Sequence, residues 1–491
     1  MTERTAGAAE RAARRRTIIC GPLALATLLI AACVPPGAGD DVTALTGGRL
    51  IDGTGAEAVE DAVVVIGGGR IMAAGAAGSV TVPANATVIE VAGRTVMPGM
   101  IEGNSHIIFD GQSNHPAYFA GRYRDYYEIG ARNLNASLMQ GITTSRDTMD
   151  PLEEMIRLRE DVEAGLIAGS RLFTSGTILN YPGVYRMFDD PTDSVFAGIP
   201  PEGVEYAKAA MVLPVRDGAH GREIVADYAE RGADFIKVSS YSGPENIPPE
   251  LSTEALTEIV DEAHARGLRV TTHTSSIESI VAVLDAGVDA MEHPTLVAEE
   301  EVGPQGEFSD ELVQRFVDQN VYSVSLMVVR EVYVTYMEDP SRLEDPWYIR
   351  HAPADMVQEA REWVARDLAR DPEALEKQRA GYELGRLNLA KLIAAGAPIA
   401  MGTDKGTRLN FHESGNHVRE LEIFIELGMT PMEAIVSATR RGAELLGMED
   451  EFGTIEAGKL ADVIVVDGNP LEDIRALREV DMVFKEGVRY R

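Results

Sequence analysis

The chain has 491 residues, 45% of them apolar, with a formal net charge of −33 at pH 7 and two cysteines. That length exceeds one ordinary domain, and the apolar share is enough for a sizeable core, which excludes a disordered chain. The acidic balance excludes nucleic acid as a partner, and two cysteines exclude a disulfide framework.

The first 33 residues read as a signal. Arg11, Arg14, Arg15 and Arg16 form a basic region, and residues 18–32 are an apolar stretch shorter than the roughly 20 residues a membrane helix needs. The stretch ends Ile30-Ala31-Ala32-Cys33, the form of a bacterial lipobox, so cleavage before Cys33 and lipidation of its thiol are expected. An uncleaved anchor helix is the rival, and Arg15-Arg16 leaves the twin-arginine route open. An exported protein, periplasmic or on the cell surface and lipid-anchored through Cys33, follows. With residues 1–33 set aside, 40 basic and 76 acidic side chains remain, a net charge of −36.

Residues 34–41 are a Pro/Gly linker. From residue 42 to 97 short apolar runs alternate with glycine turns, as in Ala62-Val63-Val64-Val65-Ile66 before Gly67-Gly68-Gly69, the pattern of antiparallel strands. Residues 451–491 have the same texture, so one small β-sandwich built from both chain ends is expected. Between them, over 98–450, eight candidate strands alternate with helical patterns: 100–106, 142–147, 171–175, 234–239, 268–274, 288–293, 321–326 and 398–404. The class is α/β, a (β/α)8 TIM barrel. Its last helix starts at Thr430, with Pro431 in the first helical position and Glu433 closing a capping box, and is expected to run to Gly447.

Five polar residues fall at predicted strand ends: His106, Lys237, His273, His293 and Asp404. Singly, each has a bland explanation: a satisfied structural histidine, a paired buried lysine, an aspartate capping a turn. Together, in barrel order, they converge on the carboxyl-end rim where barrel active sites lie, and the ligand reading is the stronger. His220 and His264 read as surface residues, and His115, His351, His412 and His417 stay open.

These positions, with Pro98-Gly99, Phe235-Ile236-Lys237, Glu292-His293, Gly402-Thr403-Asp404, Ala438-Thr439 and Gly458-Lys459-Leu460-Ala461-Asp462, resemble the amidohydrolase superfamily, in particular the branch near imidazolonepropionase and the Xaa-Pro dipeptidase-like enzymes. The resemblance spans about 42–491. It implies a divalent metal centre of one or two ions, zinc first, and hydrolysis of an amide or cyclic C–N bond in a small amide or peptide-like substrate. His106 and Asp404 would bind one metal and His273 and His293 the second, with Lys237 as a bridging N-carboxylysine. Asp404 would serve a metal-bound hydroxide as general base, then acid. A homo-oligomer is the expected assembly.

Asn104 departs from the pattern. The family's His-x-His pair reads Asn104-Ser105-His106 here, and an amide oxygen is a weak ligand for a zinc-like ion. Asn104 is thus a weak or lost ligand, which leaves open a binuclear centre, a mononuclear one on the Lys237 side, or a non-catalytic binding lipoprotein. An active enzyme is preferred because the other five positions are intact; a lactonase or isomerase on the same site is a further alternative. Substrate contacts are expected from long loops: Tyr181, Tyr185, Arg186, Met187 and Phe188 after the third strand, and Tyr333, Tyr336, Trp347 and Tyr348 between the seventh and eighth, with Arg186 or Lys405 for a substrate carboxylate.

Overall fold

The computed structural model describes residues 42–491 apart from 111–120, 122–123, 181–199, 212, 241–250, 275, 297–305, 345–348, 350–353, 355–356, 359, 363, 366–372 and 408–409. The expectations for Cys33, Tyr181, Tyr185, Arg186, Met187, Phe188, Trp347, Tyr348, His115 and His351 lie outside the described residues. Among those described, no helix is long and apolar enough to cross a membrane.

The strands, in order, are β1 (Thr43–Leu50), β2 (Val59–Gly67), β3 (Arg70–Ala76), β4 (Thr87–Glu90), β5 (Arg94–Pro98), β6 (Met100–Ser105), β7 (Ile142–Asp147), β8 (Arg171–Thr174), β9 (Leu179–Asn180), β10 (Leu213–Pro214), β11 (Ile236–Ser240), β12 (Val270–Thr274), β13 (Ala290–Glu292), β14 (Tyr322–Val324), β15 (Ile399–Ala400), β16 (Val463–Asp467), β17 (Val480–Lys485) and β18 (Val488–Arg489). Both chain ends share one eight-stranded sheet, ordered β18-β17-β16-β5-β1-β2-β3 with β4 alongside β1. The join is the antiparallel pair β5–β16, Arg94 opposite Asp467 through Pro98 opposite Val463. Successive side chains on a strand face opposite ways, and β16 uses this. Val463 and Val465 enter the sheet's own apolar cluster with Leu45, Val64 and Phe484. Ile464 and Val466 enter the barrel core. The sheet is therefore welded to the barrel by apolar burial on its second face.

The barrel strands are β6, β7, β8, β11, β12, β13, β14 and β15, parallel throughout. The two-residue strand β9 pairs with β11, and β10 pairs with the outer side of β9, as a small insertion. Two seams close the ring. Asp234 N–H donates to Thr174 O (2.9 Å) between the third and fourth strands. At the other seam Gly103 N–H donates to Met401 O (3.0 Å), Asp404 N–H to Asn104 O (2.9 Å) and His106 N–H to Lys405 O (2.8 Å). The first and eighth strands approach so closely that a Cβ on Gly103 would lie 2.6 Å from Met401 O, so only glycine fits.

Helices follow the sequence pattern closely. The helix Ile277–Ala286 starts at Ser276, whose side chain accepts from Ser279 N–H, and stops at Gly287 in the left-handed region. The Thr430–Glu433 capping box forms. The helix expected from 430 to 447 is instead two, Pro431–Ser437 and Arg440–Leu446. The cause is the barrel floor: Met401 N–H donates to Ser437 O and Ile101 N–H to Ala438 O, which takes those carbonyls out of a continuous helical ladder. Tyr333 and Tyr336, on the helix Met327–Glu338, are buried in the main core, so they are packing residues and not pocket walls.

Glu420 ties two of these elements together. Its carboxylate accepts from Met327 N–H (3.0 Å) and Val328 N–H (2.7 Å) at the start of that helix. Burial pushes this carboxyl up from 4.5 to about 8, against the two backbone donors. A carboxyl that holds its proton more tightly in the folded chain contributes stability below its unfolded pKa and loses it as pH rises through the folded one. Glu420→Gln is therefore expected to flatten the fall in stability between about pH 4.5 and 8, read as melting temperature against pH.

Candidate metal centre

The five rim residues come together as the barrel order requires. His106 Nε2 lies 3.0 Å from Asp404 Oδ1. His273 Nδ1 and His293 Nε2 are 2.8 Å apart, their rings edge to face. Lys237 is buried beneath them, and its Nζ donates to Thr148 Oγ1 at 3.2 Å. Backbone strain concentrates here. His293, Leu326 and Asp404, at the ends of the sixth, seventh and eighth strands, have φ of 40°, 55° and 59°. Non-glycine residues in that region mark sites where the surrounding fold overrides local preference.

The charges sort themselves. Burial works to raise the Asp404 carboxyl, but the His106 hydrogen bond and the positive charges of His106, His293 and Lys237 outweigh it and hold it well below the usual range. Burial lowers the Lys237 amine, and the charges of Glu292 and Asp404 offset this only in part. A neutral amine can react with carbon dioxide, whereas an ammonium cannot ligate a cation. Imidazole nitrogens, a carboxylate and a carboxylatable lysine are the donor set a zinc-type ion takes, so the residues fit a divalent metal.

Asn104 does not point its amide at that donor set as a ligand. Its Nδ2 donates to Glu292 Oε2 at 2.8 Å and its Oδ1 accepts from Thr148 Oγ1 at 2.7 Å. Glu292 in turn accepts from Arg146 (2.6 Å) and Thr271 (2.7 Å), and Arg146 also donates to Gly103 O (2.8 Å). Burial raises the Glu292 carboxyl, but Arg146 and Lys237 bring it below its ordinary value. Asn104 is thus the hinge of a buried polar network under the site.

The sequence pattern marks Glu292 as a motif neighbour of His293 and does not single out Arg146 or Thr148. A signal exists: three charged residues within Arg146-Asp147-Thr148-Met149-Asp150 at the carboxyl end of a barrel strand. Lys405 is fully buried, with the charges of Glu102 and Glu413 acting on it. Glu102 accepts from Thr403 N–H (2.7 Å) and Oγ1–H (2.8 Å) and supports the Asp404 turn. His412 Nε2 lies 3.0 Å from His106 O, and His417 is buried. His264 pairs with Asp289 at 2.8 Å.

Metal-ligand side chains at the carboxyl ends of parallel strands in a closed (β/α)8 barrel, with a β-rich domain from both chain ends, define a metal-dependent barrel hydrolase. The chain belongs to the amidohydrolase family, whose model matches residues 95–489. It is an amidohydrolase enzyme. It is 27% identical over 421 residues to ochratoxinase of Aspergillus niger, covering 81% of this chain and 75% of that one. It is 26% identical over 421 residues to imidazolonepropionase of Streptomyces griseus, covering 85% and 88%. A crystal structure of a Xaa-Pro dipeptidase with bound methionine in the active site superposes with a TM-score of 0.72 at 25% identity, over 92% of this chain and all of that one.

Proposed function

We propose that this amidohydrolase cleaves an amide or cyclic amide C–N bond in a small substrate, at a centre held by Lys237, His273, His293 and Asp404. The observation that carries the reading is the convergence of the His273–His293 pair and the His106–Asp404 pair on one rim. A divalent metal there, zinc first, would supply a Lewis acid for the scissile carbonyl and activate water at neutral pH. The chain's own residues do the rest. Asp404, held as a carboxylate, accepts the proton of the attacking water and returns it to the leaving nitrogen. His106 donates its Nε2 proton to Asp404 and fixes its orientation. Lys237 would add carbon dioxide at Nζ with loss of one proton, and the resulting carbamate would present two anionic oxygens that could hold a divalent metal. Thr148, between Lys237 and Asn104, keeps the lysine aimed.

The names of the relatives, a dipeptidase and an imidazolonepropionase among them, support an amide or cyclic amide. Tyr181, Tyr185 and Arg186 are proposed as substrate contacts. The enzyme is further proposed to be exported and lipid-anchored through Cys33, on the strength of the Ala31-Ala32-Cys33 signal end.

The test is a hydrolysis screen of metal- and bicarbonate-reconstituted protein against N-acyl amino acids, Xaa-Pro dipeptides, lactams and lactones, with Lys237→Ala alongside. Turnover of an amide is expected, and Lys237→Ala is expected to lose it together with its bound metal. Turnover of lactones alone would overturn the C–N assignment, and unchanged metal content in Lys237→Ala would remove the lysine from the centre.

A further inference from the structure

We propose that His106, Asp147 and Asp150 form a second cation site, behind the rim, that takes one first-row divalent ion such as Mn2+ or Zn2+. The inference deepens the reading above, since it assigns the outer nitrogen of a residue that reading already uses.

The site grows from strand alternation at the end of β7. Arg146 and Thr148 turn into the barrel and join the Glu292–Asn104 network. Asp147, between them, faces the other way, toward β8, where its Oδ2 accepts from Thr174 Oγ1 at 2.8 Å. Three residues on, Asp150 accepts from Ile108 N–H at 2.9 Å through Oδ2. The Asp150 N–H itself donates to Asp147 Oδ2 at 3.3 Å. One ligand atom each of His106, Asp147 and Asp150 lies within 4.8 Å of those of the other two, and all three residues are buried.

What points to a ligand is the accounting of polar atoms. His106 Nδ1 is buried with no hydrogen-bond partner among the described residues, and Asp147 Oδ1 and Asp150 Oδ1 are buried with no donor beyond each other's carboxyl. His106 is 5% exposed. Buried polar atoms are otherwise satisfied almost without exception. Here three of them, on three residues from two strand ends, belong to one cluster.

The donor chemistry then selects the ion. Two carboxylates and one imidazole carry a formal charge of −2, which a divalent ion balances. Two buried carboxylates side by side are costly unless something neutralises them. Burial raises both carboxyls, and at Asp150 the charge of Asp147 adds to it. Calcium takes six to eight oxygens and magnesium keeps several waters, whereas an imidazole with two carboxylates suits manganese or zinc. His106 Nε2 lies 3.0 Å from Asp404 Oδ1, which leaves the unpartnered Nδ1 as the nitrogen open to the ion.

The experiment strips the full-length protein of metal with chelator and titrates Mn2+, following bound ion per chain by mass spectrometry and electron paramagnetic resonance. Wild type, Asp150→Asn, Asp147→Asn and Lys237→Ala are compared. Asparagine keeps the acceptors for Ile108 and Thr174, and circular dichroism checks that each variant is folded. Two ions per wild-type chain are expected. Each asparagine variant should lose one, or bind it at least about tenfold more weakly. Lys237→Ala should keep that ion and lose the other. Equal stoichiometry and affinity in wild type and both asparagine variants would overturn the inference and leave the Lys237 centre standing. A single ion per wild-type chain, kept by Lys237→Ala and lost by Asp150→Asn, would do the reverse.

Discussion

Replacing Asp404 by asparagine is expected to lower kcat by about 10²- to 10⁴-fold, the span of a positioned general acid–base. Asparagine preserves the side chain's shape and can still accept from His106 Nε2, which sits 3.0 Å from Asp404 Oδ1. It cannot take a proton from water. The left-handed backbone at this position, φ 59°, suits asparagine as well as aspartate, so the loss should come from chemistry and not from misfolding. Steady-state kinetics at saturating metal are the measurement. A proton carrier gives a fall in kcat with KM little changed, and the pH profile should lose its acid limb. A variant with wild-type kcat would move the general base to another residue.

The largest effect on stability is expected from Arg146→Ala. The Arg146–Glu292 pair is 2.6 Å apart with side-chain exposures of 3% and 0%, so neither charge is screened by solvent. The guanidinium also stacks 4.0 Å above the Phe235 ring. Removing one partner of such a pair leaves the other as an uncompensated buried charge, at a cost of about 3–5 kcal/mol. Chemical denaturation measures it as a lowered midpoint. Arg146→Met combined with Glu292→Gln removes both charges of the pair and should recover most of the loss. A double variant as unstable as Arg146→Ala would place the cost in packing against Phe235.

The parallel strands were legible because they are buried on both faces and most read as short apolar or β-branched runs with a polar residue at the carboxyl end. Ile142–Asp147 begins and ends where the pattern does, and the other barrel strands shrink by one to five residues, at one end or both. The five rim residues were legible as an ordered set. What stayed hidden is what depends on direction in space. Period-two alternation tells that Arg146 and Asp147 face opposite ways, but not that the first meets Glu292 on the sixth strand or that the second meets His106. The same holds for Asn104. Its type signals a missing imidazole, while its two hydrogen bonds, to residues 44 and 188 positions away, exist only once the ring closes. The split of the last helix at Ala438 was invisible because its cause is tertiary: two strand-end N–H groups claim Ser437 and Ala438 carbonyls that local propensity assigns to the helix.

The β5–β16 seam bears on how the protein comes to be folded. Thr95 Oγ1 donates to Gly468 O at 2.7 Å across 373 positions, and β5 runs on at once into the first barrel strand. Each half of the sheet pairs within itself, but loop closure of that length must be completed before β5 and β16 join, so this step of the topology is slow. Until Val463–Lys485 has paired, β5 is an open edge, and the barrel strand that follows it is tethered to an unfinished sheet.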